Sequence, residues 1–64
     1  MANAIQDLYE EMKIEYKNSE EDMEKFCDGN NSAGTRVRRA MQNIKGLAQQ
    51  VRLEVQAQKN GVPA

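Results

Sequence analysis

Apolar residues in the first half of the chain recur at alternating steps of four and three positions. The series has one polar interruption and runs through Ile5, Tyr9, Met12, Tyr16, Ser19, Met23 and Phe26. This spacing is typical of a helix that packs one stripe against another helix. Asn3 and Gln6 have the spacing of a capping box, and Gly29 suits the left-handed position that follows a helix. The pattern therefore predicts a first helix over about residues 4–28.

A wider apolar stripe marks the second half of the chain. It consists of three columns that each repeat every seven residues: Val37, Ile44 and Val51; Ala33, Ala40 and Leu47; and Met41, Ala48 and Val55. This repeat predicts a second helix over about residues 33–59. Turn and capping residues precede it at 29–32, and a short tail over 60–64, which includes Pro63, follows it.

A short turn between two long helices makes them antiparallel neighbours. We therefore predict an all-α fold with a single helical-hairpin domain over residues 1–64. Three apolar columns are more than one partner helix covers, and a chain of 64 residues is only marginally stable alone. The expected assembly is a homodimer or higher oligomer, as a four-helix bundle or a coiled-coil-like arrangement. The predicted oligomer core contains Ile5, Tyr9, Met12, Tyr16, Met23, Phe26, Val37, Ala40, Met41, Ile44, Leu47, Ala48, Val51 and Val55.

The residue types that most enzymes use are scarce in this sequence. There is no histidine, a single cysteine, and no Walker loop or nucleophile elbow. We predict that the protein is not an enzyme and takes no metal or cofactor. Cys27, beside Phe26, is interpreted as a small core residue. Tyr9 and Tyr16 are assigned to the packing stripe rather than to a surface that stacks on bases.

Membrane and export signals are not apparent in the sequence. No apolar run approaches the roughly 20 residues of a membrane span. The first residues lack the basic and apolar segments of a signal peptide. We therefore expect a cytoplasmic protein with no membrane partner, in which Cys27 is reduced.

Charge is divided unevenly between the two halves of the chain. Residues 1–28 carry nine acids against three lysines, a net charge of −6, whereas residues 29–64 carry six cations against one acid, a net charge of +5. Four of these cations repeat every seven residues, so they form a line along the second helix at intervals of about 10 Å. A line of Arg and Lys can follow a phosphate backbone. The predicted DNA-phosphate contacts are Arg36, Arg38, Arg39, Lys45, Arg52 and Lys59.

A more ordinary interpretation of these cations is favoured on composition alone. In it they flank the core and pair with the acids of the first helix, as is common in helical bundles. Exposed pairs of that kind contribute only about 0–1 kcal/mol each, so they are readily exchanged for phosphate contacts. The sequence alone therefore allows both interpretations, phosphate contacts and pairing with the acids of the first helix.

Residues 29–40 (GNNSAGTRVRRA) and 44–52 (IKGLAQQVR) resemble a segment of the bacterial linker-histone-like family, the chlamydial-type histone-like nucleoid proteins. Members of that family carry a motif of the type GNxxAGTRxR followed by a second helix. The resemblance covers about residues 5–59. It implies a DNA-associating protein that condenses chromosomes and resides in the nucleoid.

The same resemblance assigns Arg36, Arg38 and Arg39 to the basic positions of the motif, and Lys45 and Arg52 to later basic positions. Members commonly continue into a Lys- and Ala-rich tail. The sequence here ends without one and has a net charge of −1. We therefore expect its DNA binding to be weak or to depend on assembly.

The sequence supports two hypotheses about the function. The leading hypothesis is a histone-like, nucleoid-associated protein that dimerises and binds duplex DNA non-specifically through the basic face of its second helix. The alternative is a helical protein–protein interaction or regulatory module that does not bind DNA. In that alternative the basic column meets an acidic protein partner.

Overall fold

Two helices joined by a tight turn make up nearly all of residues 3–61, the part of the chain that the computed structural model describes. Helix α1 spans Ala4–Cys27 and helix α2 spans Asn31–Lys59. The described part contains no strand, and the two helices pack against each other, which confirms the predicted all-α hairpin. Of the expected tail, Pro63 lies outside the described residues.

Side-chain caps fix where the helices begin. The Asn3 side chain accepts a hydrogen bond from the Ile5 amide at 2.9 Å, and the Gln6 side chain accepts one from the Asn3 amide at 3.0 Å. These bonds close a capping box, in which two amide donors that the helix leaves unpaired are satisfied. Gly29 follows α1 with a φ of 106°, a conformation that strains any residue with a β-carbon. Asn30 then caps α2, so the second helix begins at Asn31, two positions earlier than expected.

The seam between the helices is built from small residues. Ala33, Ala40 and Ser19 are the buried residues of the described chain, and no large side chain there is fully buried. Ser19, the polar interruption of the first stripe, donates its hydroxyl to the Tyr16 carbonyl oxygen at 2.7 Å. Its polar group is therefore satisfied, and its small volume lets the helices approach closely.

The side of α1 that packs against α2 overlaps only in part with the apolar stripe predicted from the sequence. The residues of α1 that are buried or half-buried against α2 are Ile5, Leu8, Met12, Glu15, Ser19 and Asp22. Tyr9 and Tyr16 are 63% and 60% exposed, and Met23 is also exposed. These three residues therefore flank the seam of one chain instead of filling it. Their place in an oligomer core stays a prediction.

The two sides of the hairpin differ in chemistry. On one side Asn43 Nδ2 donates to Glu15 Oε1 at 3.1 Å and Arg36 Nε donates to Asp22 Oδ1 at 2.8 Å, and we call this side the polar face. On the other side apolar residues are half-buried or exposed. We call it the apolar face and define it by Tyr9, Tyr16, Met23, Phe26, Met41, Ala48 and Val55.

Helical geometry places the apolar columns of the two helices on the same side. On α1, Tyr9 and Tyr16 flank the seam on the side away from Glu15, and on α2, Met41 flanks it on the side away from Asn43. Since Glu15 and Asn43 meet on the polar face, the two apolar columns share the opposite face. The hairpin measures 49 × 19 × 11 Å, a single layer of helices that leaves this face uncovered.

The interpretation of Cys27 as a core residue is wrong. Its side chain is exposed, with the sulfur 4.0 Å from that of Met23. Cys27 ends α1 on the side that points away from the seam, so the helix position overrides the general preference of cysteine for burial. Neither helix in the described part is both long enough and apolar enough to cross a membrane.

Candidate nucleic-acid interface

The cations of α2 are all exposed, and four of them form a single column. We call Arg38, Lys45, Arg52 and Lys59 the basic column. Seven residues correspond to two helical turns, so successive members are about 10.5 Å apart and the column extends for about 31 Å. Within residues 3–61 no carboxylate lies within 4.0 Å of a charged nitrogen of these four residues. The column therefore has free charge to offer a ligand.

Arg36 and Arg39 do not belong to the basic column and lie on the side of α2 towards the polar face. Arg36 Nε is 2.8 Å from Asp22 Oδ1, and its side chain is 48% exposed. Arg39 lines a shallow depression of the polar face together with Arg36 and Asn43. Pairing with acids of the first helix is thus confirmed for Arg36, and the structure separates Arg36 and Arg39 from the basic column.

The outward surface of α2 carries no carboxylate. The one acid of this helix is Glu54, which is half-buried at the seam and accepts a hydrogen bond from Gln58 Nε2 at 3.3 Å. The positions between the cations are occupied by neutral amides, namely Gln42, Gln49 and Gln56. A polyanion that approaches this surface meets donors and positive charge and is not repelled by a local acid.

Gly46 lies at the centre of this surface. It shares a shallow, open depression with Gln42, Lys45, Ala48, Gln49 and Arg52. A β-carbon at Gly46 would have no atom within 4 Å, so the packing of the hairpin does not require glycine there. The absence of a side chain opens the helix backbone between two cations, which allows a phosphate to approach closely. The signal in the sequence is a glycine in mid-helix next to the basic column, a residue that by itself lowers helix stability.

The described residues offer surface chemistry and no metal centre. Among residues 3–61 no group of three or more His, Cys, Asp and Glu side chains is placed to hold a metal ion. The arrangement of Arg, Lys and Gln donors suits phosphate oxygens, which accept hydrogen bonds and attract cations. Fold and surface together define a small helical-hairpin protein with a cationic outer helix.

The comparisons with known proteins identify the family. The sequence model of histone H1-like protein Hc1 matches residues 6–61, and the chain belongs to this family. The match covers nearly all of both helices and the turn between them, and it confirms the histone-like resemblance of the sequence. The family is one of histone H1-like nucleoid proteins, which supports histone-like DNA binding in general. No curated protein and no solved structure matches the chain.

Proposed function

We propose that this protein is a nucleoid-associated, histone-like protein that binds duplex DNA through the outward surface of α2. Phosphate contacts come from the basic column and from Arg39. Arg36 joins them when phosphate replaces Asp22, an exchange that costs little because the ion pair is partly exposed. The observation that carries the proposal is the acid-free surface of α2, on which cations and amides alternate.

The dimensions of the basic column match a stretch of duplex. Its length of about 31 Å corresponds to roughly nine base pairs at 3.4 Å per base pair. Arg and Lys that reach phosphates carry no sequence information, so binding is non-specific. The net charge of −6 on residues 1–28 repels DNA from α1, and DNA therefore approaches from the side of α2.

Self-association through the apolar face is the second part of the proposal. An isolated hairpin has no fully buried large side chain in the described part, and this leaves little hydrophobic stabilisation for a domain of its size. A second copy on the apolar face buries Tyr9, Tyr16 and Phe26 and forms a four-helix bundle. A dimer also doubles the number of phosphate contacts, which raises the affinity of a modestly charged unit.

One observation supports a different function. The apolar face is exposed and borders the basic column, and this combination also suits an acidic protein partner with an apolar patch. The protein is then a helical interaction module, without DNA binding. This alternative predicts saturable binding to a protein and none to nucleic acid.

Titration with random-sequence duplexes of equal length separates the two functions. We expect binding at low salt, similar for all sequences, with log affinity falling linearly as log salt rises. Binding that is confined to one sequence contradicts the non-specific mechanism. No binding at low salt removes the DNA proposal and leaves the interaction module.

A further inference from the structure

The polar face changes character at the end of the hairpin that lies away from the turn. Two columns with a seven-residue spacing meet along this face: Leu8, Glu15 and Asp22 of α1, and Arg36, Asn43 and Gln50 of α2. Hydrogen bonds join the two pairs nearer the turn, at 2.8 and 3.1 Å. Because the helices are antiparallel, the third pair is Leu8 and Gln50. Leu8 has no polar atom that can bond the Gln50 amide, so no hydrogen bond between these side chains closes the face at this level.

A shallow depression of about 440 Å³ lies at the third pair. It is lined by six residues from both helices: Ala4, Asp7, Leu8, Gln50, Leu53 and Glu54. Three of these residues are apolar, two are carboxylates and one is an amide, and we call this group the acidic end site. None of the described residues that line it is a cation, which distinguishes it from the outward surface of α2 beside it.

Leu53 gives the acidic end site an exposed apolar surface. It is 60% exposed although it does not belong to the apolar face. A single exposed apolar residue is common on proteins and needs no partner, and Ile14, which is 52% exposed, is such a residue. Leu53 differs because Ala4 and Leu8 share its depression. The three side chains together form a small apolar patch in a concave surface, which is typical of a contact site.

The two carboxylates of the site are available to a ligand. Asp7 and Glu54 form no ion pair within residues 3–61. Glu54 accepts one hydrogen bond, from Gln58 Nε2 at 3.3 Å. The Gln58 amide also exchanges two hydrogen bonds with the Asn3 amide, at 2.8 and 3.1 Å. These bonds join the start of α1 to the last turn of α2, so the helices hold the two carboxylates on either side of the apolar patch.

We propose that the acidic end site binds a short basic segment of another protein, in which an apolar side chain lies next to Lys or Arg. The apolar side chain packs on Leu8 and Leu53, and the cations reach Asp7 and Glu54. The Gln50 amide has both donors and an acceptor, which suits the backbone of a peptide. The two carboxylates repel nucleic acid from the site. The proposal does not rest on DNA binding, and a second copy on the apolar face leaves the polar face open.

Two synthetic peptides serve as probes. Acetyl-GKKLLKKG-amide carries leucines between lysines, and acetyl-GKKSSKKG-amide keeps the charge and lacks the apolar side chains. Each is titrated into the full chain without DNA, and amide NMR spectra report where it binds. We expect the leucine peptide to bind saturably and to shift the amide signals of the acidic end site. The serine peptide is expected to bind at least about tenfold more weakly.

Variants of the site test the two kinds of contact separately. Leu53→Ser should weaken binding of the leucine peptide roughly tenfold, because it removes apolar surface from the contact. D7N/E54Q should weaken binding of both peptides about fivefold and reduce its salt dependence. The matched controls are I14S, which removes an exposed apolar side chain elsewhere, and E20Q/E24Q, which removes the same charge from α1. Both controls should keep the affinity for the leucine peptide within about twofold.

Several results overturn the proposal. Equal affinities for the two peptides, or no effect of D7N/E54Q, show that the acidic end site is not the binding site, as does a lack of binding at millimolar peptide. Shifts centred on Tyr16 and Met41 place the peptide on the apolar face instead. A change in the sedimentation of L53S without peptide shows that a second copy occupies the site. Since these titrations contain no DNA, their outcome and that of the DNA titration are independent.

Discussion

The ring of Phe26 lies directly over Gly34, so closely that a β-carbon at position 34 would fall 2.6 Å from two ring carbons. This contact joins the last turn of α1 to the first turns of α2. Phe26 is nevertheless 50% exposed, which shows that the ring covers the glycine from the apolar face. A β-carbon at Gly34 would therefore displace the Phe26 ring, whereas a β-carbon at Gly46 would meet no atom.

Alanine substitution of the two glycines should have opposite effects. Gly46→Ala removes the helix penalty of glycine without a clash, and we expect it to raise the free energy of unfolding by about 0.5–1 kcal/mol. Gly34→Ala gains the same propensity but displaces the Phe26 ring, and we expect a net loss of about 1 kcal/mol. Thermal unfolding followed by circular dichroism measures both. Equal stabilisation by the two variants would show that the Phe26–Gly34 contact is unimportant.

Self-association should depend on the apolar face and not on exposed apolar residues elsewhere. We expect the protein to sediment as a dimer or larger at micromolar concentration. Tyr16→Ser should weaken the dimer by roughly tenfold or more, because it removes a large apolar surface from the interface. Ile14→Ser is the control, since Ile14 is 52% exposed on another side of α1. A folded wild-type monomer, or equal effects of the two variants, would exclude the bundle.

A substitution at Leu47 tests the packing of α1 against α2 within one chain. Leu47 is half-buried on the side of α2 that faces α1, in the same seven-residue column as Ala33 and Ala40, and Leu47→Asp places a carboxylate in the seam. Such a change typically costs several kcal/mol, comparable to the whole stability of a small domain. We expect the variant to be largely unfolded by circular dichroism. A melting curve like that of the wild type would show that the register of α2 is assigned wrongly.

Substituting Arg36 or Arg38 by Gln should show which basic residues stabilise the hairpin and which contact phosphate. Arg36→Gln removes the partly exposed ion pair with Asp22 and should lower stability by a few tenths of a kcal/mol. Arg38→Gln removes a cation without a carboxylate partner and should leave stability unchanged. On duplex DNA, we expect Arg38→Gln to reduce the salt slope by about 0.9. A larger slope change for Arg36→Gln would place the phosphate contacts on the polar face.

The local signals of the sequence predicted the fold well. Asn3 and Gln6 form the expected capping box, and Gly29 adopts the positive φ that the end of α1 requires. These features depend on neighbours a few positions away, so a single sequence contains them. The same holds for the seven-residue spacing of the cations.

Contacts between the helices were harder to predict. Glu15 and Asp22 lie at the seam because Asn43 and Arg36 come opposite them, and an isolated helix pattern assigns such residues to solvent. The pattern placed Tyr9 and Tyr16 in one stripe without distinguishing a seam within the chain from a face between chains. The Phe26–Gly34 contact likewise depends on the packing of one helix against the other.

The salt dependence of DNA binding tests the central claim most directly. The double variant K45Q/R52Q removes two cations from the basic column, and K17Q/K25Q removes the same charge from α1. Log affinity is measured against log salt on one random duplex for both variants and the wild type. We predict that K45Q/R52Q reduces the slope by about 1.8 while K17Q/K25Q leaves it unchanged. Equal slopes for the two variants would contradict a phosphate-binding surface on α2.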